Sequence, residues 1–273
     1  MKYPLDPLTD FDWAAHWRHL VEAREEQVGG QRPPDFWDRR ARSYSLSVAG
    51  ERDPLLDVLE PYLDRHRTLI DVGAGTGRHA SALATRLDWV TAVEPSEGMR
   101  QLIPTADNMT VIASTWEDAD VAPADLVLSA HVLYPIADAV SFVRKLESCA
   151  CERAFICLRD GQLRHPAERL WEMMSGTARA RQPQFWDAYN VLHAMDIRPS
   201  VTVFDHTVRL RFESLEQALE DCRLRIGDVW NEELGATWLR ENLQPTESGG
   251  LVYEGGEMTT GVAHWKPQQA RRN

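Results

Sequence analysis

The residues best placed to do chemistry lie in one short run, Thr68-Leu69-Ile70-Asp71-Val72-Gly73-Ala74-Gly75-Thr76-Gly77-Arg78-His79. An apolar stretch ends in an acidic residue, three alternating glycines follow, and a helical pattern starts at once. Alternate glycines serve a backbone that bends sharply and approaches a ligand closely. A strand feeding a helix through such a turn aims amide donors outward, as nucleotide-type sites do. Asp71 adds a sign to the expected ligand. Phosphates favour neutral or basic surroundings, whereas a carboxylate at the strand tip suits a ligand carrying positive charge.

The spacing then separates two adenosine-type ligands. A nicotinamide dinucleotide site requires G-x-G-x-x-G, whose third glycine lets helix and strand pack closely. Counted from Gly73 and Gly75, that third position is Arg78, a poor fit. The pattern present is D-x-G-x-G-x-G, with Gly77 one residue too early. Glu94, at the end of the next apolar run, suits ribose hydroxyls in either case. S-adenosylmethionine (SAM), with sulfonium and ammonium groups, matches the acidic tip.

These residues need elements to hold them. An apolar stripe with Trp13, Trp17, Leu20 and Val21 predicts a helix over 9–28, capped by Thr9 or Asp10 and stopped by Gly29-Gly30. A second helix is expected from Asp35, and a third from Asp53-Pro54 to about Arg65, with Pro54 at a first helical position. Strands are then expected at 68–72, 89–93, 109–113, 125–129 and 153–158, with helices at 78–87, 96–103 and 138–149. Continuous apolar strands alternating with helices indicate a mainly parallel sheet covered on both faces, a doubly wound α/β fold of Rossmann-like type. After Asp160 the expected helices are 166–175, 185–195, one opened by Ser214 and one from Asn231 to about Leu243. Short strands are expected at 201–204 and 208–212, and an antiparallel C-terminal hairpin at 251–254 and 259–265 around Gly255-Gly256. The implied organisation is a helical cap over 1–66, a core over 67–160, an α+β insertion or cap over 161–250, and a terminal hairpin over 251–273.

Composition narrows the partners. At 273 residues the chain can bury a sizeable core, and 43% hydrophobic content is ordinary for a globular protein. No apolar run approaches the roughly 20 residues that span a bilayer, and the first residues lack the pattern of a secretion leader, so a cytoplasmic protein is expected. A net charge of −12 disfavours nucleic acid, whose binders neutralise phosphates with basic surface. The basic candidates, Arg39-Arg40, Arg179 to Arg181 and Arg271-Arg272, read as solvated surface. Cys149, Cys151, Cys157 and Cys222 lack C-x-x-C spacing and read as buried reduced thiols. The nine histidines form no H-x-x-x-H pair, so no metal site is expected.

Across 68–160 the chain resembles class I SAM-dependent methyltransferases. The resemblance rests on Asp71 through Gly77, on Glu94, on Val111 to Asp118, and on Asp125-Leu126-Val127-Leu128-Ser129-Ala130-His131, in order and at the family's spacing. Phe36 to Tyr44, Tyr189 to His193 and Ser214 to Ala218 are also similar to a narrower prokaryotic group whose substrates are poorly defined. The resemblance implies SAM as cofactor, held by Tyr44, Asp71, Gly73, Ala74, Gly75, Gly77, Glu94, Pro95, Met99, Thr115, Trp116, Glu117, Ser129 and His131. Family members often place an aspartate where Thr115 stands; Glu117 can substitute, and Trp116 can pack on the adenine. The fourth strand's tip faces the methyl group in this family, which makes His131 and Tyr134 the candidate catalytic residues, with His131 as a base near neutral pH. His79 is expected to face solvent. The Asn/Asp-Pro-Pro-aromatic tetrad of enzymes that methylate base amino groups is absent: Ala130 to Pro135 occupies its place. The expectation is a methyltransferase acting on a small molecule. Its rivals are an RNA or protein methyltransferase, a non-catalytic SAM-binding protein and, more remotely, a nicotinamide oxidoreductase.

Overall fold

A computed structural model describes residues 11–30, 33–247 and 249–268. Helices α1 (Trp13–Gln27), α2 (Phe36–Val48) and α3 (Pro54–Leu59) precede β1 (Thr68–Val72). The core follows as α4 (Arg78–Ala84), β2 (Trp89–Val93), α5 (Glu97–Arg100), β3 (Met109–Ile112), β4 (Ala124–Ala130), α6 (Ala139–Cys149) and β5 (Ala150–Asp160). Then come α7 (Pro166–Ser175), α8 (Phe185–Ala194), β6 (Ser200–Phe212), α9 (Leu215–Ile226), α10 (Glu232–Asn242), β7 (Gln244–Pro245) and β8 (Leu251–Trp265). Thr9 and Asp10 lie outside the described residues, and the first helix is capped instead by Asp12, whose carboxylate accepts from the Ala15 amide.

The strand order is β3-β2-β1-β4-β5-β8-β6, with β7 beside β8. The first five strands are parallel, as expected from their apolar runs, and β8 enters antiparallel to β5. The order reverses direction at β1 and β4, so the carboxyl ends of these two neighbours form the crevice where ligands of open α/β sheets bind.

The antiparallel part of the sheet differs in detail from the expected hairpin. Residues 251–265 form one continuous strand that pairs along its length with β6, and the two short strands expected at 201–204 and 208–212 are likewise one. Gly255-Gly256 does not turn the chain back. The register passes from Val208↔Gly256 to Arg209↔Glu254, leaving Gly255 as the extra residue of a bulge, and Gly256 adopts φ +80°. Register also shows that β6 from His206 onward runs past Asp160, the last residue of β5. The β6–β8 ribbon therefore rises beyond the carboxyl edge as a wall.

Alternation along β1 sends Ile70 and Val72 to one face, with Trp17, Phe142, Phe185 and Trp265, and Leu69 to the other, with Leu55, Leu59, Leu83 and Phe155. A third cluster joins α7, α9 and α10 around Trp171, Phe212, Cys222 and Leu239. The 161–250 segment is thus divided. Its α8 and β6 complete the main body, and its remaining helices form a separate layer that packs against α2.

Candidate functional site

The turn after β1 is built by three left-handed glycines, Gly73 (φ +67°), Gly75 (+57°) and Gly77 (+81°). Such angles cost an L side chain about 1–2 kcal/mol, which explains the residue type. The Gly73 and Ala74 amides both donate to the Val93 carbonyl, at 2.8 and 3.0 Å, folding the turn across the end of β2. Glu94 is buried there. Its two oxygens accept from the Gly75 and Ser96 amides, each at 2.8 Å. The Gly75 amide is therefore committed to a carboxylate rather than open to a phosphate. Burial pushes the Glu94 carboxyl up, against the pull of those two amides.

Asp71 is 1% exposed, and its Oδ2 has no hydrogen-bond partner. Burial raises its pKa, opposed by the nearby His79 and a backbone hydrogen bond from Ala80. On the adjoining strand Ser129, paired with Val72, is also 1% exposed, and its Oγ has no partner either. Two orphaned polar groups at neighbouring strand tips are uncommon in a folded protein, where over nine in ten buried groups are satisfied. A ligand with cationic and hydrogen-bonding groups would satisfy both.

The N-terminal helices close this end of the sheet. Asp38 Oδ1 accepts from Ser96 Oγ at 2.5 Å and from the Gly98 amide at 2.8 Å, so α2 is tied to α5. Tyr44 stands over the glycine turn, its Cε1 3.7 Å from where a Cβ on Gly75 would sit. Met99 is buried beneath, and Pro95 is exposed. His79 departs from expectation: it is buried, its Nε2 2.8 Å from Asp53 Oδ2, because Asp53 at the start of α3 also holds Arg78 at 3.0 Å.

Past β4, His131 takes a left-handed backbone (φ +61°) and its amide donates to the Cys157 carbonyl at 2.8 Å. Its Nδ1 lies 3.0 Å from the Tyr134 hydroxyl, which accepts from the Arg159 amide at 2.6 Å. The histidine and the tyrosine share a hydrogen bond through Nδ1, and the other ring nitrogen, Nε2, lies 4.0 Å from Cys157 Sγ. Burial, reinforced by the Arg159 guanidinium, holds the His131 pKa well below its ordinary value. Burial pushes the Tyr134 phenol up to about 12. Both groups are neutral at neutral pH.

The expected adenine segment splits. Thr115 and Glu117 are exposed, with Thr115 Oγ1 3.1 Å from Asp118 Oδ2. Trp116 turns into the core beside Phe142, with the Lys145 ammonium 4.8 Å from its ring. The structure thus gathers Tyr44, Asp71, the glycines, Glu94, Met99, Ser129, His131 and Tyr134 at one end of the sheet. Sequence reasoning missed Asp38, Arg159 and His206, whose Nδ1 is buried without a partner on the β6 wall. An acidic residue one turn into a helix, as Asp38 is, carries no local sign that its partners lie 58 and 60 residues away.

Elsewhere the basic residues read as surface divide. Arg40 and Arg179 are 5% and 8% exposed and ion-paired inside the protein, whereas Arg39 is exposed. Arg271-Arg272 lie outside the described residues. Cys149, Cys157 and Cys222 are buried free thiols, but Cys151 is exposed, near the start of β5 and before that strand's pairing with β8 begins at Ala154. Among the described residues no cluster of three His, Cys, Asp or Glu could hold a metal, and no helix is long and apolar enough to cross a membrane.

A family model described as a methyltransferase domain matches residues 37–196, more than half of the chain. No curated protein matches the sequence. Among solved structures the chain is similar to the YcgJ protein of Bacillus subtilis, at 10% identity over 76% of this chain and 96% of that one, with a TM-score of 0.48. It is similar also to a candidate methyltransferase of Bacillus halodurans C-125, at 13% identity over 78% and 98%, TM-score 0.48. A third is a candidate methyltransferase from an antibiotic biosynthesis pathway of Anabaena variabilis, at 16% identity over 77% and 96%, again with a TM-score of 0.48.

Proposed function

The chain belongs to the methyltransferase domain family, and from that premise we propose that it transfers a methyl group from SAM to a small-molecule acceptor. The observation that carries the reading is the pair of unsatisfied buried groups, Asp71 Oδ2 and Ser129 Oγ, at the tips of adjacent strands beside the glycine turn. Asp71 offers negative charge to the cationic methionine end. Glu94, already oriented by two amides, keeps lone pairs for ribose hydroxyls, and Tyr44 closes over Gly75. When bound, SAM supplies a methyl on sulfonium that is displaced in line, so the protein's task is alignment and exclusion of water.

His131 and Tyr134 serve that task as a shaped, uncharged wall. A general base works best with a pKa near the operating pH. An imidazole held low and a phenol at about 12 do not meet that condition. The reading therefore favours an acceptor whose nucleophilic atom has a lone pair available without prior deprotonation by the protein. The net charge of −12 supports a small molecule over nucleic acid.

Calorimetry with S-adenosylhomocysteine tests the core of this reading. Saturable binding, weakened in Asp71→Asn, is expected, and absence of binding to the native protein would overturn it. Labelled-methyl transfer to RNA or protein of a cell extract would move the acceptor to a macromolecule. Binding without transfer to any acceptor would make the protein non-catalytic.

A further inference from the structure

Four guanidinium groups converge between the N-terminal helices and the α7–α9 layer, on only two carboxylates. Arg24 Nη2 and Arg179 Nη1 share Glu168 Oε1, at 2.5 and 3.1 Å. Arg40 Nε meets Asp221 Oδ1 at 2.5 Å, and Arg225 Nε meets Asp221 Oδ2 at 3.0 Å. His165 adds no charge: its Nδ1 accepts from the Ala167 amide, its Nε2 faces Asp221 Oδ2 at 2.8 Å, and burial lowers its pKa to about 4. Burial lowers Arg40 and Arg179 to about 10, so both stay charged at neutral pH. The paired groups alone leave an excess of two positive charges.

This excess borders a void. A cavity of about 40 Å³ has Arg24, Arg179, Arg225, Tyr134 and Pro135 among its lining residues. That is room for a few waters or one small polar head group. Glu25 also lines it and has no ion-pair partner among the described residues, which reduces the local excess to one positive charge. Buried charges are ordinarily paired. Here several donors are not. Arg179 Nε is buried without a partner, and the two terminal nitrogens of Arg225, a side chain 15% exposed, have none among the described residues; Arg40, whose guanidinium lies against Phe36 and Trp37, does not line the cavity. Because guanidinium presents a planar fork suited to oxyanions, these loose ends define the missing partner chemically.

We propose that this cavity binds an oxyanion group, carboxylate or phosphate, of the methyl acceptor, with Arg225 as the principal contact and Arg179 as the supporting charge. The inference rests on the methyltransferase reading for the word acceptor, and on the cavity alone for the anion. Tyr134 links the two, since its hydroxyl meets His131 past the tip of β4 while the residue also lines the cavity. An acceptor anchored by its acid group in the cavity would extend past Tyr134 toward the strand tips.

The test uses the full chain saturated with S-adenosylhomocysteine, titrated at constant ionic strength with acetate, with inorganic phosphate and with neutral acetamide. Saturable binding of acetate or phosphate is expected, with acetamide silent; the tighter of the two anions identifies the head group. Arg225→Gln should weaken that anion about tenfold or more, the range of one charge-assisted hydrogen bond. Glu25→Gln, which touches none of the paired groups, should tighten it. Failure of both anions to saturate, equal binding of acetamide, or an unchanged affinity in a folded Arg225→Gln would overturn the proposal. If Arg225→Gln does not fold, Glu25→Gln decides, and no gain in anion affinity overturns it. Loss of S-adenosylhomocysteine binding in the native protein would instead count against the methyltransferase reading, and anion binding would still be measured without it.

Discussion

Gly73→Ala separates two reasons for a glycine that sequence alone cannot tell apart. At φ +67° any L side chain is strained, by about 1–2 kcal/mol. The added Cβ would also fall 2.5 Å from Val132 Cγ2, inside any real contact, and a tight 3.0 Å from Val132 Cγ1. Overpacking of that kind costs about 1–3 kcal/mol more, so the total expected loss is about 2–5 kcal/mol. Gly75 has a similar angle, φ +57°, yet its added Cβ meets only Tyr44 Cε1 at an ordinary 3.7 Å. Gly75→Ala should therefore lose only the backbone share, about 1–2 kcal/mol. Val132→Ala removes both methyls, so the double variant should recover the steric share, a coupling of about 1–3 kcal/mol. Urea unfolding of the five proteins, with slopes compared to guard the two-state assumption, measures every term. If Gly73→Ala costs no more than Gly75→Ala, or if the Gly73 and Val132 effects simply add, the packing argument is wrong.

Two further outcomes follow from buried polar groups. Ser129→Ala removes a hydroxyl that has no partner in the protein, so unfolding without ligand should show no loss, or a gain of up to about 1 kcal/mol. The thermal shift given by S-adenosylhomocysteine should shrink in the same variant, and a large loss of stability without ligand would show that Ser129 is satisfied after all. His165 sets a pH dependence. Its folded pKa, about 4, lies below the ordinary 6.5, so between these values the unfolded chain binds a proton that the native protein does not. Stability should fall as pH drops from about 6.5 toward 4, by about 3 kcal/mol from this group, with no contribution above 6.5. His131, His206 and His264, also held low, add in the same direction. His165→Asn, which can still cap α7, should flatten the curve by one proton's share, and an unchanged curve would refute the assignment.

What could be read in the sequence was whatever local chemistry decides. β1 and β2 begin and end where their apolar runs do, and α7 is bounded by Pro166 at its first position and Gly176 at its end. Ser96, Asp138, Ser214 and Asn231 all cap the helices they precede. The misreadings share one cause. Asp205 to Thr207 and Gly255-Gly256 look like interruptions in isolation, yet each lies inside a long strand because the other strand is there to pair with it. Likewise Arg40 and His79 look like surface residues until Asp221 and Asp53, 181 and 26 residues away, are folded against them.

The same division runs through the site. Asp71, the glycines and Glu94 act through the backbone of one β-turn-α unit and the next strand, so their spacing is itself the signal and the donor side is legible. The cavity is different in kind. It takes Arg24 and Glu25 from α1, Phe36 from α2, Tyr134 from the loop after β4, Glu168 from α7 and Arg225 from α9, and no two of these elements are joined by a recurring spacing. Its charge imbalance is visible only after the pairs are drawn, because the chain as a whole is strongly acidic. A chain of net charge −12 that holds unpaired guanidinium ends inside a cavity has concentrated its positive potential where water is scarce and fields are strong. Such a site rewards an anion far more than an arginine on the surface would. The glycine turn is shared by any enzyme that must hold the same methyl donor. Acceptor choice, in this protein, falls to the helices that close over it.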